Sequence, residues 1–80
     1  MKIEEFVNAF AGAFDDVDVR EVSADTVFKE LPAWDSLAVL TVTDAIEADF
    51  SVLLTRVDYA NAQTVRDLYE IVESKLTSGS

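Results

Sequence analysis

Three stretches of this chain repeat apolar residues at the spacing of one helix face, and almost no helix-breaking residue interrupts them. The chain has two glycines and one proline in 80 residues. Few turn-forming residues and a period near 3.6 favour helices over strands. The stripes are Ile3, Phe6, Val7, Phe10, Ala11 and Phe14; Val39, Val42, Ile46 and Phe50; and Val65, Leu68, Tyr69, Val72 and Leu76. We therefore predict an all-α fold in which these stripes pack together.

The stripes also set the expected bounds of three long helices. The first is expected over residues 3–14, and the second from Ser36 to about Phe50, with Leu53 extending its stripe. β-Branched residues in the second stretch lower its helix propensity slightly, but no partner strand is apparent. The last helix is expected to open at Thr64, with Asp67 completing a capping box.

Two connections join the predicted helices. Residues 15–34 form a long, mostly irregular link that begins with an acidic cluster, Asp15, Asp16 and Asp18. This cluster lacks the glycine and closing glutamate of a calcium loop, so we interpret it as solvated, with weak divalent binding as the minor alternative. Three apolar residues are expected to anchor the link on the core: Val27, Phe28 and Leu31. The second connection, residues 51–63, is expected to contain a short helical turn near residues 57–60.

The length and composition predict one small domain over residues 1–76, with a disordered tail at 77–80. The absence of cysteine removes disulfides and thiolate metal sites as sources of stability. No stretch has the layout of a signal peptide or the roughly 18 apolar residues of a membrane span. We therefore expect a cytoplasmic, monomeric protein with no metal site.

The charge is strongly acidic, with 16 acidic against 6 basic residues and a net charge of −10. Nucleic acid and anionic membrane surfaces are unsuitable partners because binding to phosphate needs a basic face. A protein with a basic docking patch is the complementary partner. The alternative interpretation is that the acidity only keeps a small protein soluble.

The residue types available argue against an enzyme. The chain has no histidine and no cysteine, which removes the usual general base and the thiolate nucleophile. Ser36 has no G-x-S-x-G context, and its only acidic neighbour in sequence is Asp35. A serine nucleophile needs an adjacent base and a preorganised oxyanion site. We therefore expect a protein that is not a catalyst.

Asp35 and Ser36 have the order of residues at a helix start. Asp35 suits the N-cap position, where its carboxylate accepts a backbone N–H. Ser36 then falls in the first turn, close to the free N–H groups and the positive end of the helix dipole, which suits an attached phosphate. The alternative is that both residues only cap the helix.

The segments "WDSLAVL", "AIEADF" and "AQTVRDLYEIV", taken in one register, resemble the acyl carrier protein family. The resemblance covers Ile3 to Leu76 and implies a bundle of three long helices plus a short one. It implies that Ser36, flanked by Asp35 and Leu37, bears 4′-phosphopantetheine as a phosphodiester. A phosphopantetheinyl transferase would install this arm from coenzyme A, and the thiol of the arm would hold an acyl group as a thioester.

The resemblance further implies roles for the second helix. Its partners would be acyl-transferring or ketoacyl synthase-type enzymes with basic docking patches, in fatty-acid, polyketide or related biosynthesis. The residues in positions suited to partner contact are Leu37, Leu40, Asp44, Glu47 and Asp49. An acyl chain would be sheltered between the helices by Val42, Ile46 and Phe50. The alternative for these three residues is plain core packing.

Some residues depart from the common pattern of the family. Thr41 stands where housekeeping carriers usually have glutamate, Ala48 is not acidic, and Trp34 is an uncommon residue before the motif. These differences favour a specialised carrier over a housekeeping one. The alternative function is an acidic helical interaction module with no prosthetic group. The Ser36→Ala substitution separates the two, because only a carrier needs the hydroxyl.

Overall fold

The computed structural model describes residues 2–14 and 19–77 and forms a bundle of α-helices. In chain order these are α1 (Ile3–Gly12), α2 (Ser36–Phe50), α3 (Arg56–Ala60) and α4 (Val65–Thr77). Two 3₁₀ turns, Val19–Glu21 and Phe28–Glu30, lie in the link between α1 and α2. No strand occurs within the described ranges, and the predicted all-α bundle of three long helices and one short helix is confirmed.

The bounds of α2 agree with the sequence prediction, but the extension of its stripe to Leu53 is wrong. The helix ends at Phe50 because Ser51 adopts the left-handed conformation, with φ 59° and ψ 33°. This residue turns the chain, so the helical period does not continue past it. Leu53 is 56% exposed, and its neighbours Val52 and Leu54 are buried instead.

The core is formed where α1 packs against α2 and α4. Phe6 and Phe10 of α1 are fully buried. The ring of Phe6 stacks on Phe50 with 5.9 Å between centroids, and it meets Tyr69 edge-on at 5.9 Å. Aromatic pairs in these arrangements add about 0.5–1.5 kcal/mol to the burial of their apolar surface. At the end of α4 the predicted stripe fails, because Leu76 is 44% exposed.

The link between α1 and α2 is fixed to the core by Phe28, which is fully buried, and Leu31, which is half-buried. Val27, expected to be a third anchor, keeps 39% of its surface exposed and instead forms an antiparallel backbone bridge with Thr64. The predicted acidic cluster at residues 15, 16 and 18 lies outside the described residues.

Further backbone hydrogen bonds tie this link to the start of α4. The N–H of Val65 donates to the carbonyl of Thr26 at 3.1 Å, and that of Arg66 donates to the carbonyl of Ala24 at 2.8 Å. The Arg66 side chain also pairs with Asp25 at 3.3 Å. This ion pair is exposed and contributes little, so the backbone bonds and the buried phenylalanine hold the link in place.

The start of α4 is closed by the predicted capping box. The Thr64 hydroxyl accepts the Asp67 N–H at 3.2 Å, and the Asp67 carboxylate accepts the Thr64 N–H at 3.1 Å. Hydrogen bonds from the backbone of Gln63 and Thr64 lower the pKa of Asp67. The helix continues to Thr77, and residues 78–80 lie outside the described part, so the disorder of the tail stays a prediction. No helix among the described residues is long and apolar enough to cross a membrane.

Candidate functional site at the start of α2

The start of α2 is fixed by Asp35, as the sequence predicts. Asp35 has an extended backbone, and its Oδ1 accepts the N–H of Ala38 at 2.8 Å. One of the free N–H groups of the first turn is thereby satisfied, which stabilises a helix by about 1 kcal/mol. One oxygen of the Asp35 carboxylate is therefore engaged in capping the helix.

Trp34 fixes the direction in which the chain enters α2. Its ring meets Phe28 edge-on with 4.8 Å between centroids, and stacks on Phe10 at 6.2 Å. On the other side it contacts Tyr59 of α3 at 5.8 Å. These contacts place the tryptophan in packing between α1, the link and α3.

Ser36 is the first residue of α2 and is exposed. Its hydroxyl makes no hydrogen bond with any described residue. Because Asp35 provides the cap, the Ser36 oxygen is free to be modified without loss of a structural contact. The arrangement suits a covalently attached phosphate, because the uncapped N–H groups and the dipole of a helix with fifteen residues favour an anion at this end.

An open groove of about 440 Å³ begins at Ser36 and runs between α2 and α3. Its walls are mostly apolar side chains with a few polar groups. The residues that line it are Ser36, Val39, Leu40, Thr43, Leu54, Thr55, Arg56 and Tyr59. Its volume lies within the range of about 300–1,000 Å³ that small-molecule sites occupy.

Two hydroxyl groups are paired in the wall of this groove. The Thr43 hydroxyl donates to the carbonyl of Val39 at 2.7 Å, and it lies 2.6 Å from the Tyr59 hydroxyl. A hydroxyl has one proton, so Thr43 accepts and Tyr59 donates in this pair. Burial raises the pKa of Tyr59 despite the hydrogen bond with Thr43, which keeps the phenol protonated at neutral pH.

The short helix α3 forms one wall of the groove, and a capping box and an ion pair fix its first turn. Thr55 and Asp58 form a capping box, with the Asp58 carboxylate accepting the Thr55 N–H at 2.8 Å. The same carboxylate pairs with the Lys75 ammonium of α4 at 2.9 Å. The ammonium also donates to the carbonyl of Leu53 at 3.4 Å.

The pKa of Asp58 responds to these contacts. Partial burial alone would raise the pKa, but the hydrogen bonds from Lys75 and Thr55 and the positive charge of Lys75 outweigh it, and the pKa is lowered from 3.8. The carboxylate is therefore ionised at neutral pH, where it joins α3 to α4.

The outer face of α2 presents both apolar and acidic residues. Leu37 is 70% exposed and Leu40 is 64% exposed. Asp44 and Glu47 are exposed and follow them at helical spacing, so the four share one face. Asp49 is also exposed, but it falls two turns after the buried Val42 and lies off this face. We call Leu37, Leu40, Asp44 and Glu47 the outer α2 face.

The predicted walls of an acyl cavity lie in the core. Val42 and Ile46 are fully buried, and Phe50 is half-buried against Phe6. The groove beside Ser36 is lined by other residues. The role of these three side chains as cavity walls therefore stays a prediction, and their observed contacts are those of core packing.

Sequence reasoning missed the α3 side of the groove. Arg56 and Tyr59 were not singled out, because the segment after α2 was interpreted as a loop with one turn. A signal was present: Thr55-x-x-Asp58 has the same capping-box spacing as Thr64-x-x-Asp67. Applied to both segments, this rule predicts the start of α3.

Comparison with known proteins identifies the family to which the chain belongs. Residues 4–72 match the family described as "Phosphopantetheine attachment site". The chain is also 34% identical over 61 residues to the "Polyketide-8 synthase acyl carrier protein 2" of Streptomyces avermitilis. This match covers 76% of the chain and 70% of that relative. No solved structure gave a significant match. The chain belongs to the acyl carrier protein family, whose members bear covalently bound phosphopantetheine.

Members of this family are carriers rather than catalysts. The chain is accordingly a phosphopantetheine-bearing acyl carrier, as the resemblance of its sequence predicts. The bound arm supplies a terminal thiol that holds an acyl group as a thioester. The chain itself supplies the attachment site for this arm.

Proposed function

We propose that Ser36 is the attachment point of the 4′-phosphopantetheine arm, and that the chain presents an acyl thioester to partner enzymes of polyketide biosynthesis. The observation that carries the proposal is the free, exposed hydroxyl at the start of α2, beside a groove and next to a separate cap residue. The match to the family spans this position.

The assignment to Ser36 is favoured by the local geometry of α2. The arm is installed by a phosphopantetheinyl transferase, which supplies its own catalytic groups, so the chain needs no base beside the serine. Asp35 keeps the first turn ordered through its bond to Ala38. Trp34 packs behind it, so the hydroxyl is held at a fixed place on the surface.

The outer α2 face is the proposed docking surface for partner enzymes. Leu37 and Leu40 offer apolar contact, and Asp44 and Glu47 place negative charge beside them. A partner with a basic patch around an apolar depression complements this face, and such charge complementarity raises the rate of encounter. Asp49 lies off the face, so we propose that it adds to the overall field without direct contact.

The proposed role in polyketide biosynthesis is inferred from the name of a similar protein. The similar protein from Streptomyces avermitilis is a polyketide synthase carrier by its name. The uncharged first half of α2, in which Thr41 replaces an acidic residue, also favours dedicated partners over those of general fatty-acid synthesis. We propose that the carrier acts in the cytoplasm as a monomer.

The proposal is tested by intact mass spectrometry after incubation with coenzyme A and a broad-specificity phosphopantetheinyl transferase. The native chain is expected to gain one phosphopantetheine, and Ser36→Ala is expected to gain none. Ser74→Ala, which removes another exposed helical hydroxyl on α4, is the matched control and should gain one. A gain on Ser36→Ala would refute the assignment. A folded native chain without any gain would favour the acidic interaction module.

A further inference from the structure

We infer that Arg56 of α3 is a specificity-determining residue, which requires a carboxylate on the surface of the transferase that modifies Ser36. This acidic group of the transferase lies beside the basic groups that face Asp44 and Glu47. The inference rests on the proposed attachment to Ser36. It extends the docking surface from the outer α2 face to Arg56 and Val57 of α3, which we call the α3 patch.

The α3 patch lies next to the position that the transferase has to reach. Arg56 and Ser36 line the same groove, and Leu40 of the outer α2 face lines it as well. An enzyme that acts on the acyl group can work at the far end of the attached arm, but the transferase must reach the Ser36 hydroxyl itself. The transferase is therefore the partner whose surface covers the groove from both sides and contacts Arg56.

The positive charge of Arg56 is not neutralised within the described part of the chain. Arg56 is exposed and forms no ion pair with a described residue. The carboxylate nearest to it in sequence, that of Asp58, is held by Lys75 at 2.9 Å and by the Thr55 N–H at 2.8 Å. A guanidinium that a partner covers loses hydration, and a carboxylate of the partner is needed to offset that cost.

The α3 patch also offers an apolar contact. The Val57 side chain is 66% exposed, as much as Leu40 at 64% and nearly as much as Leu37 at 70%. Large apolar side chains that are grouped at a surface mark protein contact sites, whereas single ones do not. The capping box and the ion pair of Asp58 hold α3 in place, so this contact is presented by an ordered helix.

The docking surface therefore carries opposite charges on its two sides. Asp44 and Glu47 are exposed on α2, and Arg56 is exposed on α3. A uniformly basic partner is attracted by the acidic side and repelled by Arg56. A partner with the matching arrangement gains from both sides and is held in one orientation, and a partner without it is selected against.

The test is the steady-state kinetics of Ser36 modification by the broad-specificity transferase. In this reaction the Ser36 oxygen bonds to the phosphorus that bears the arm. The pyrophosphate bond of coenzyme A breaks, adenosine 3′,5′-bisphosphate leaves, and the serine proton passes to a base of the transferase. Arg56→Glu should raise the KM for the carrier about 5- to 20-fold with kcat within about 2-fold, because binding loses a charge pair. This increase should shrink as sodium chloride is added.

The matched control is Arg66→Glu, which changes the net charge by the same amount at an exposed arginine of α4. It should not raise the KM. Val57→Ala should raise the KM as Arg56→Glu does, whereas Leu76→Ala, at another exposed apolar residue, should not. A KM that is unchanged or lower in Arg56→Glu would overturn the inference, because a uniformly basic partner gains from the loss of the positive charge. Circular dichroism of each variant excludes unfolding as the cause of a higher KM.

Failure of this inference is distinct from failure of the proposed function. If Ser36 is not the attachment point, intact mass gives the wrong result for the native chain or for Ser36→Ala before any rate is compared. If the masses are as expected and Arg56→Glu is modified as readily as the native chain, only the role of Arg56 is refuted.

Discussion

The contact between Asp58 and Lys75 allows a quantitative test of what holds α3 in place. The Asp58 carboxylate accepts from Lys75 Nζ at 2.9 Å and from the Thr55 N–H at 2.8 Å. Loss of a helix cap costs about 1 kcal/mol, and a hydrogen bond to a charged group contributes about 1.5–3 kcal/mol. The ammonium is 31% exposed, which places the second term at its lower end. Asp58→Ala should therefore lower the free energy of unfolding by about 2–3 kcal/mol.

Two milder substitutions separate the contribution of the helix cap to stability from the contribution of the ion pair. Asp58→Asn keeps an oxygen that can accept the Thr55 N–H but removes the charge that pairs with Lys75. Lys75→Met removes the same charge pair from the other side and keeps the length of the side chain. Each should cost about 1 kcal/mol, and the double variant should cost clearly less than the sum, because both remove the same ion pair. Lys75→Met also loses the longer bond to the Leu53 carbonyl. Chemical denaturation followed by circular dichroism gives these values.

Acidification tests independently whether the ionised Asp58 carboxylate stabilises the folded chain. The pKa of Asp58 is lower in the folded chain than its value of 3.8 when unfolded. Its contribution is therefore fully present above about pH 5 and is lost as the pH falls through the folded pKa. The difference in stability between the native chain and Asp58→Asn should be constant from pH 7 to about 5 and shrink towards pH 2. A difference that grows on acidification, or additive effects of Asp58→Asn and Lys75→Met, would refute the reasoning.

Other predictions concern the turn after α2, the link and the net charge. Ser51→Gly should raise the free energy of unfolding by up to about 1 kcal/mol, since glycine adopts the left-handed φ of 59° without strain. Ser51→Val should lower the free energy of unfolding, and thermal unfolding distinguishes these two outcomes. Phe28→Ala should cost about 3–5 kcal/mol because it empties a fully buried site. Glu30→Ala, a nearby exposed change, should cost less than about 0.5 kcal/mol in the same urea titration. Added sodium chloride should raise the melting temperature of this chain of charge −10 by screening its self-repulsion, and a melting temperature that falls or stays constant would contradict that.

The sequence was sufficient to predict the long helices because each has a stripe of three or more turns. The start of α2 was predictable as well, since Asp35 has both the residue type and the position of a cap. The structure adds that Trp34 packs behind this start, which no local pattern shows because its partners include Phe10 of α1 and Tyr59 of α3.

The α3 side of the groove was harder to predict for a physical reason. A helix of five residues is too short to display a period, and it is stable only through its caps and tertiary contacts. The contact of Asp58 with Lys75 joins two segments whose distance depends on the packing of α4. That contact helps to hold α3, which forms one wall of the groove at Ser36. The candidate attachment point could therefore be predicted from the sequence, and the surface beside it could not.

The bridge between Val27 and Thr64 holds both ends of the segment 28–63 at one place. Within this segment α2 packs on α1, and α3 packs on α4, where Asp58 pairs with Lys75. A displacement of α3 that widens the groove must therefore break the contact between Asp58 and Lys75, whereas the bridge and the packing of α2 on α1 need not open. The same ion pair that holds α3 in place thus sets how readily the groove widens.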